Sequence, residues 1–113
     1  MSKELEDRFL AFGKRVRDFC HQIKKTIINI EYIKQLIRCS ASVGSNYIEA
    51  SDDIGPADEK MKIKTARREA KESTHFLSLV LTYDDNKLED ERNVLIDEAV
   101  QIRKILSTII NKL

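Results

Sequence analysis

Five cations, Lys60, Lys64, Arg67, Arg68 and Lys71, follow one another at steps of four, three, one and three residues. At 100° per residue they fall on one strip of a helix, opposite the apolar positions Ile63, Ala66, Ala70, Ser73 and Leu77. Such a strip can contact phosphates along a nucleic-acid backbone, since Lys and Arg neutralise successive phosphates. The blander reading, which the balanced bulk charge favours, is a solvated face whose charges are relieved by acids three or four residues away. No aromatic residue interleaves the five cations, so base stacking is not encoded there. The chain as a whole carries 20 Lys and Arg against 19 Asp and Glu, a net charge of +1. Bulk charge therefore supplies no general pull toward nucleic acid or an anionic membrane, and any such contact has to be local.

A second constellation lies on the preceding helix. Arg38, Ser42, Ser45, Asn46 and Glu49 project within a limited arc, and Glu69 sits at the margin of the next helix's apolar face, with Glu72 farther out. If the two helices pack side by side, Arg38 meets a carboxylate across the seam. A carboxylate–Arg–Asn group has the look of a catalytic cluster, but no His or Cys nucleophile pair stands at a defined spacing beside it. The reading that fits better is a polar network fixing helix register, or an interface between subunits. Gly44 belongs with it for a different reason. A mid-helix glycine costs about 1 kcal/mol against alanine, and its use is the close approach of another helix. Arg38, Ser42, Gly44, Asn46, Glu49 and Glu69 are thus candidates for helix packing or an oligomer interface.

The remaining reactive residue types are scattered. His21 and His75 stand alone on their helices. Glu72-Ser73-Thr74-His75 matches the Glu-x-x-His element of di-iron bundles once, whereas those sites need it on two helices. Cys20 and Cys39 form no Cys-x-x-Cys pair and read as small buried hydrophobes. The three glycines, Gly13, Gly44 and Gly55, make no phosphate-binding loop. No catalytic, metal or cofactor-binding residue is assigned, and a non-enzymatic protein is expected.

These side chains must be positioned by helices. One Pro and three Gly in 113 residues leave few breaking points, and the length fits one domain spanning 1–113. A first helix is predicted from about Lys3 to Ile27, with Leu5, Phe9, Phe12, Val16, Phe19, Cys20, Ile23 and Ile27 on one face. A break near Ile28 and Asn29 leads to a second, from about Ile30 to Ala50. The loop Ser51–Pro56 ends it, and a third runs from Pro56 or Ala57 to about Thr82, with Val80 and Leu81 closing its apolar face. Asn86 and Glu89 resemble a capping pair opening a fourth, which runs to Leu113 on a stripe of Leu95, Ala99, Ile102, Leu106, Ile109, Ile110 and Leu113. Short connections between long helices predict an all-α, antiparallel up-and-down four-helix bundle. No apolar run follows Met1 and none approaches the ~20 residues of a membrane span, so neither a signal peptide nor a membrane contact is expected and the cytoplasm is the expected location.

The stretch from Gln35 to Ile48 carries a single charged residue, Arg38, in a chain that is 35% charged. Helices so poor in charge are covered on more than one side, by the bundle or by another copy. Leu36, Val43 and Tyr47 are assigned to the core. The segment QLIRCSASVGSNYIEA, Gln35 to Ala50, resembles the central motif of the four-helix-bundle family named for proteins encoded in 23S rRNA intervening sequences. The matching residues are Gln35, Leu36, Arg38, Ser42, Val43, Gly44, Asn46, Glu49 and Ala50. The segment Lys62 to Val80 is similar to that family's third helix through Ala66, Glu69, Ala70, Glu72 and Leu77. The likeness covers the middle of the chain, and the ends follow only in helix pattern.

The resemblance implies a four-helix bundle that assembles into ring-like homo-oligomers, commonly pentamers, with no established enzymatic activity. A related branch, the accessory proteins of diversity-generating retroelements, binds a reverse transcriptase and nucleic acid. That branch is strongly basic, and at +1 this chain does not share its charge, so reverse-transcriptase binding is not carried over. Two departures stand out. Many relatives read Glu-Gly where this chain has Glu49-Ala50-Ser51, and a subgroup reads Arg-Tyr-Trp where it has Thr74-His75-Phe76. The second removes a basic and a large aromatic group from a contact surface. The expectation is a homo-oligomeric, non-enzymatic bundle contacting RNA or DNA through the strip on its third helix. The alternative is a protein-interaction scaffold or accessory subunit that touches no nucleic acid.

Overall fold

A computed structural model describes the whole chain, Met1–Leu113. Four helices account for nearly all of it: α1 (Lys3–Gln22), α2 (Ile27–Ala50), α3 (Pro56–Leu79) and α4 (Asn86–Lys112). Each start has a local cause. The Ser2 hydroxyl accepts a hydrogen bond from the Leu5 N–H at 3.1 Å, and Thr26 does the same for Asn29 at 3.1 Å. Pro56 opens α3 after Gly55, whose φ of +97° lies where glycine is favoured.

Four helix boundaries differ from those read in the sequence. Ile23 and Ile27 keep the period of the first helix, yet α1 ends at Gln22 and Ile27 is 87% exposed at the start of α2. The Lys25 ammonium donates to the carbonyls of Cys20, His21 and Ile23 at 2.7–2.8 Å and so satisfies the end of α1. The break lies at residues 23–26. Asn29, expected in that break, is instead fully buried in the first turn of α2. Its amide donates to the Leu81 carbonyl at 2.9 Å and accepts from the Leu81 N–H at 2.9 Å. Helix α3 stops at Leu79 rather than Thr82 because Arg92 of α4 donates to the carbonyls of Leu77 and Val80. That leaves Leu81 exposed, as Leu113 is at the chain's end. The cap of α4 is Asp85, which accepts from the Leu88 N–H at 3.0 Å, while Glu89 turns to Thr82 and Arg92.

The apolar stripes meet in one core. Phe9, Phe12, Val16 and Phe19 of α1 join Leu36, Cys39, Val43 and Tyr47 of α2. Ile63, Ala66, Ala70 and Leu77 of α3 join Leu95, Ala99, Ile102 and Leu106 of α4. Helix α1 packs on α2 and α4, α3 packs on α2 and α4, and the diagonal pairs do not meet. In cross-section the helices therefore stand at the corners of a square, within a body of 45 × 22 × 19 Å. Residue pairs across the α1–α4 and α2–α3 seams rise in number on one helix as they fall on the other. Arg8 meets Glu98 and Arg15 meets Glu91; Glu49 meets Lys62 and Arg38 meets Glu72. Neighbouring helices are antiparallel, and the fold is an up-and-down four-helix bundle.

Candidate nucleic-acid interface

One seam differs in charge from the two beside it, and the difference locates the site. The α1–α4 seam is laced by two forked ion pairs, Arg8 to Glu98 at 2.8–2.9 Å and Arg15 to Glu91 at 2.7–3.3 Å. The hydrogen bonds from Glu98 hold the Arg8 guanidinium above its ordinary pKa. The α2–α3 seam also sets opposite charges against each other. Arg38 Nη1 lies 3.7 Å from Glu69 and its Nη2 3.5 Å from Glu72, and Lys62 pairs with Glu49.

The α3–α4 seam does the reverse. Lys64, Arg67, Arg68 and Lys71 of α3 face Arg103 and Lys104 of α4 across a groove of about 780 Å³. Ser107, Thr108 and Val100 complete the lining, and no carboxylate does. Of these six cations only Arg68 has a carboxylate oxygen within 4.0 Å, that of Glu69 at 3.4 Å. Arg67 donates from Nη1 to the Ser107 hydroxyl at 3.2 Å, which fixes the guanidinium at the groove floor. The Nε of Arg103 is buried and has no hydrogen-bond partner. Like charges three or four residues apart on a helix cost a few tenths of a kcal/mol per pair, and a bare buried donor costs more. The seam carries both costs where its neighbours carry pairs. Such a concave cluster of cations, with hydroxyl donors between them, suits an anionic backbone rather than a planar ring or a metal.

Of the five cations singled out in the sequence, Lys64, Arg67, Arg68 and Lys71 line this groove, and Lys60 lies one turn beyond its end. Arg103, Lys104, Ser107 and Thr108 were not singled out. The signal for them is the antiparallel register: the turn at 80–85 sets residues near 103–108 opposite 67–71.

The six candidates for packing or assembly do not form one cluster. Arg38, Glu49 and Glu69 bridge α2 and α3. Glu69 is 5% exposed, and its Oε2 makes no hydrogen bond. Ser42 and Asn46 lie on the same edge but turn back onto their own helix, donating to the carbonyls of Arg38 and Ser42 at 2.9 and 2.8 Å. Gly44 is on the other side of α2, against α1. A Cβ built on it lies 3.6 Å from the Phe9 Cβ, an ordinary contact distance. The two helices thus come close there without requiring a glycine.

Beside Gly44 the α1–α2 edge opens into a second groove, of about 390 Å³. Its floor is Gly13, Ser40, Ala41, Gly44 and Ser45; its walls are Leu10, Ile37 and Ile48, which are 57%, 44% and 55% exposed. Ile30, Ile37, Ala41 and Ile48 form a second apolar stripe on α2, separate from the one facing the core. Leu36, Val43 and Tyr47 are buried, so one side of the charge-poor stretch faces the core and another stays open.

Neither cysteine is poised for chemistry. Burial pushes the Cys20 thiol up to about 12 and raises that of Cys39, which accepts a weak bond from the Ser73 hydroxyl. His75 is exposed and packs edge-on against Phe76 at 5.2 Å. No three His, Cys, Asp or Glu side chains converge on a point. No helix is long and apolar enough to cross a membrane.

Among solved structures, the chain is similar to a protein of unknown function from the S23 ribosomal protein family of Bacteroides thetaiotaomicron VPI-5482. The TM-score is 0.78 at 25% identity, covering 93% of this chain and 96% of that one. No curated protein matches the sequence significantly. The model of the 23S rRNA-intervening sequence protein family matches residues 7–108, nearly the full bundle from α1 into the last turns of α4. The chain belongs to the 23S rRNA-intervening sequence protein family.

Proposed function

We propose that this protein is a non-enzymatic, self-associating bundle that holds nucleic acid by its phosphate backbone in the α3–α4 groove. The observation that carries the reading is the like-charged seam: six cations from two helices, five without a carboxylate, around a buried guanidinium donor without a partner. The absence of aromatic residues from the groove makes the contact one of charge and hydroxyls, indifferent to base identity. The self-associating part rests on the α1–α2 groove. Its apolar walls stand exposed, its floor is small enough for a helix to approach, and its rim carries Glu6 as well as Lys14 and Arg17. A rim of both signs suits a second copy better than a uniformly charged partner. A pentamer is the assembly that the family resemblance implies.

Titration of a structured RNA and a DNA duplex at moderate salt, with wild type and Lys64→Glu/Arg67→Glu/Lys71→Glu, tests the groove. Binding by wild type and its loss in the variant are expected. No binding by wild type removes nucleic acid from the account and leaves a scaffold whose partner is another protein. Binding unaltered by the reversal removes the groove as the site. Light scattering tests assembly: a mass several times 13.1 kDa is expected, and a strict monomer at micromolar concentration contradicts it.

A further inference from the structure

The side chains lining the α3–α4 groove are almost all hydrogen-bond donors. Its Lys and Arg residues carry no acceptor atom, and Val100 carries no polar one. Only the hydroxyl oxygens of Ser107 and Thr108 can accept. These two consecutive hydroxyls are committed in opposite senses. The Ser107 oxygen accepts from Arg67 Nη1 at 3.2 Å and donates to no protein group, so its proton is free. The Thr108 hydroxyl donates to the Lys104 carbonyl at 3.1 Å and accepts from no protein group, so its lone pairs are free. That bond to the carbonyl four residues back is local to the helix and holds the Thr108 proton away from the groove. Ser107 is half-buried beside the guanidinium, and Thr108 is exposed at the lip. From floor to lip, the α4 wall therefore offers a donor and then an acceptor.

A DNA backbone presents phosphate and sugar oxygens and has no proton to donate. An RNA backbone adds the 2′-hydroxyl, which both donates and accepts. That hydroxyl stands on the sugar carbon next to the one bearing the 3′-phosphate. A phosphate held at the floor by Arg67 and Ser107 sets a 2′-hydroxyl beside it, as Thr108 stands beside Ser107. We infer that Thr108 makes the groove selective for RNA over DNA, its hydroxyl oxygen accepting the 2′-hydroxyl proton of a strand whose phosphates the cations and Ser107 hold. This rests on the phosphate-backbone reading of the α3–α4 groove and names the nucleic acid that it takes. Phosphate contacts alone make no such choice, because both backbones carry the same charge per nucleotide. Lys64 to Lys71 covers about 10 Å of helix rise, which faces roughly three phosphates at ~3.4 Å each along a strand. One accepted hydrogen bond is a modest addition to those ionic contacts, about 3- to 10-fold in affinity.

The test uses short oligouridylates that differ only at the 2′ position, which bears hydroxyl, fluorine or hydrogen, followed by fluorescence anisotropy. The fluoro strand keeps the charge and the ribose-like sugar pucker and lacks the proton to donate. Wild type should bind the hydroxyl strand about 3- to 10-fold tighter than the fluoro strand, and the hydrogen strand no tighter than the fluoro. Thr108→Val should bind the hydroxyl and fluoro strands alike, at the wild-type affinity for the fluoro strand. Thr108→Ser should keep the preference. Thr108 is exposed, so both substitutions leave the core untouched. Equal binding of the hydroxyl and fluoro strands by wild type overturns the inference, and so does a preference that survives in Thr108→Val. In both cases the groove reading stands if Lys64→Glu/Arg67→Glu/Lys71→Glu abolishes binding, and it falls separately if that variant binds like wild type. A wild type that binds none of the three strands overturns both.

Discussion

The α1–α2 edge and the α3–α4 edge are built from the same kind of antiparallel helix pair and end up with opposite surfaces. On the first, small residues and exposed isoleucines leave an apolar groove with a mixed rim. On the second, cations face cations. The core beneath is alike, with aliphatic side chains buried from all four helices. A bundle needs only its inward stripe to fold, so the outward positions are free to differ. Here they differ in directions that each cost something in the isolated molecule. Exposed apolar area on one edge forgoes burial, and unpaired like charge on the other forgoes ion pairing. Those costs are the grounds on which both edges are proposed as surfaces for a partner.

The largest expected effect separates the two edges outright. Lys64→Glu/Arg67→Glu/Lys71→Glu should weaken nucleic-acid binding by about 100-fold or more, since it removes three phosphate contacts and adds three repulsions. It should leave the assembly mass unchanged in light scattering. The reciprocal variant, Ile37→Glu/Ile48→Glu, should dissociate the assembly and spare binding of a short RNA. If either variant disturbs both properties in a folded protein, the edges are not independent and the comparison breaks.

The next effect concerns the border of the apolar groove. Gly44→Leu, whose Cβ already meets the Phe9 Cβ at 3.6 Å, should destabilise the fold by about 1–3 kcal/mol where its longer side chain crowds Phe9. Gly44→Ala should be neutral or more stable by up to about 1 kcal/mol, since its methyl meets the Phe9 Cβ at an ordinary distance and alanine favours the helix. Urea unfolding of both variants checks this; equal destabilisation by alanine would show that the glycine itself is required there.

The smallest effect sharpens the basic edge. Lys71→Gln relieves a like-charge neighbour and breaks no ion pair. It should raise stability by a few tenths of a kcal/mol at low salt while lowering nucleic-acid affinity. A loss of stability would mean that Lys71 has a structural partner.

The sequence was most legible where one rule acted alone. The inward stripes of all four helices follow the 3.6-residue period, and Phe9, Leu36, Ile63 and Leu95 are buried as their spacing requires. The third-helix strip was legible as charge, and Arg38 as a residue that crosses to α3 carboxylates. Helix ends differ from the reading where a side chain bonded to backbone carbonyls overrode the local period. Lys25 ends α1 before Ile27, and Arg92 ends α3 before Thr82, and neither bond shows in hydropathy. The fourth-helix half of the basic groove became visible only with the register between α3 and α4. Ile37 was not singled out because a helix bearing two apolar stripes looks, in a linear sequence, like one that is simply buried.

The central claim is that the α3–α4 groove binds nucleic acid by neutralising phosphates. It is tested most directly by the salt dependence of short single-stranded RNA binding. For wild type, log K should fall with log salt at a slope of roughly −2 to −3, reflecting about three to four phosphates at ~0.7 each. Lys71→Gln should flatten that slope by about 0.7. A wild-type slope near zero, or one that Lys71→Gln leaves unchanged, would contradict the account.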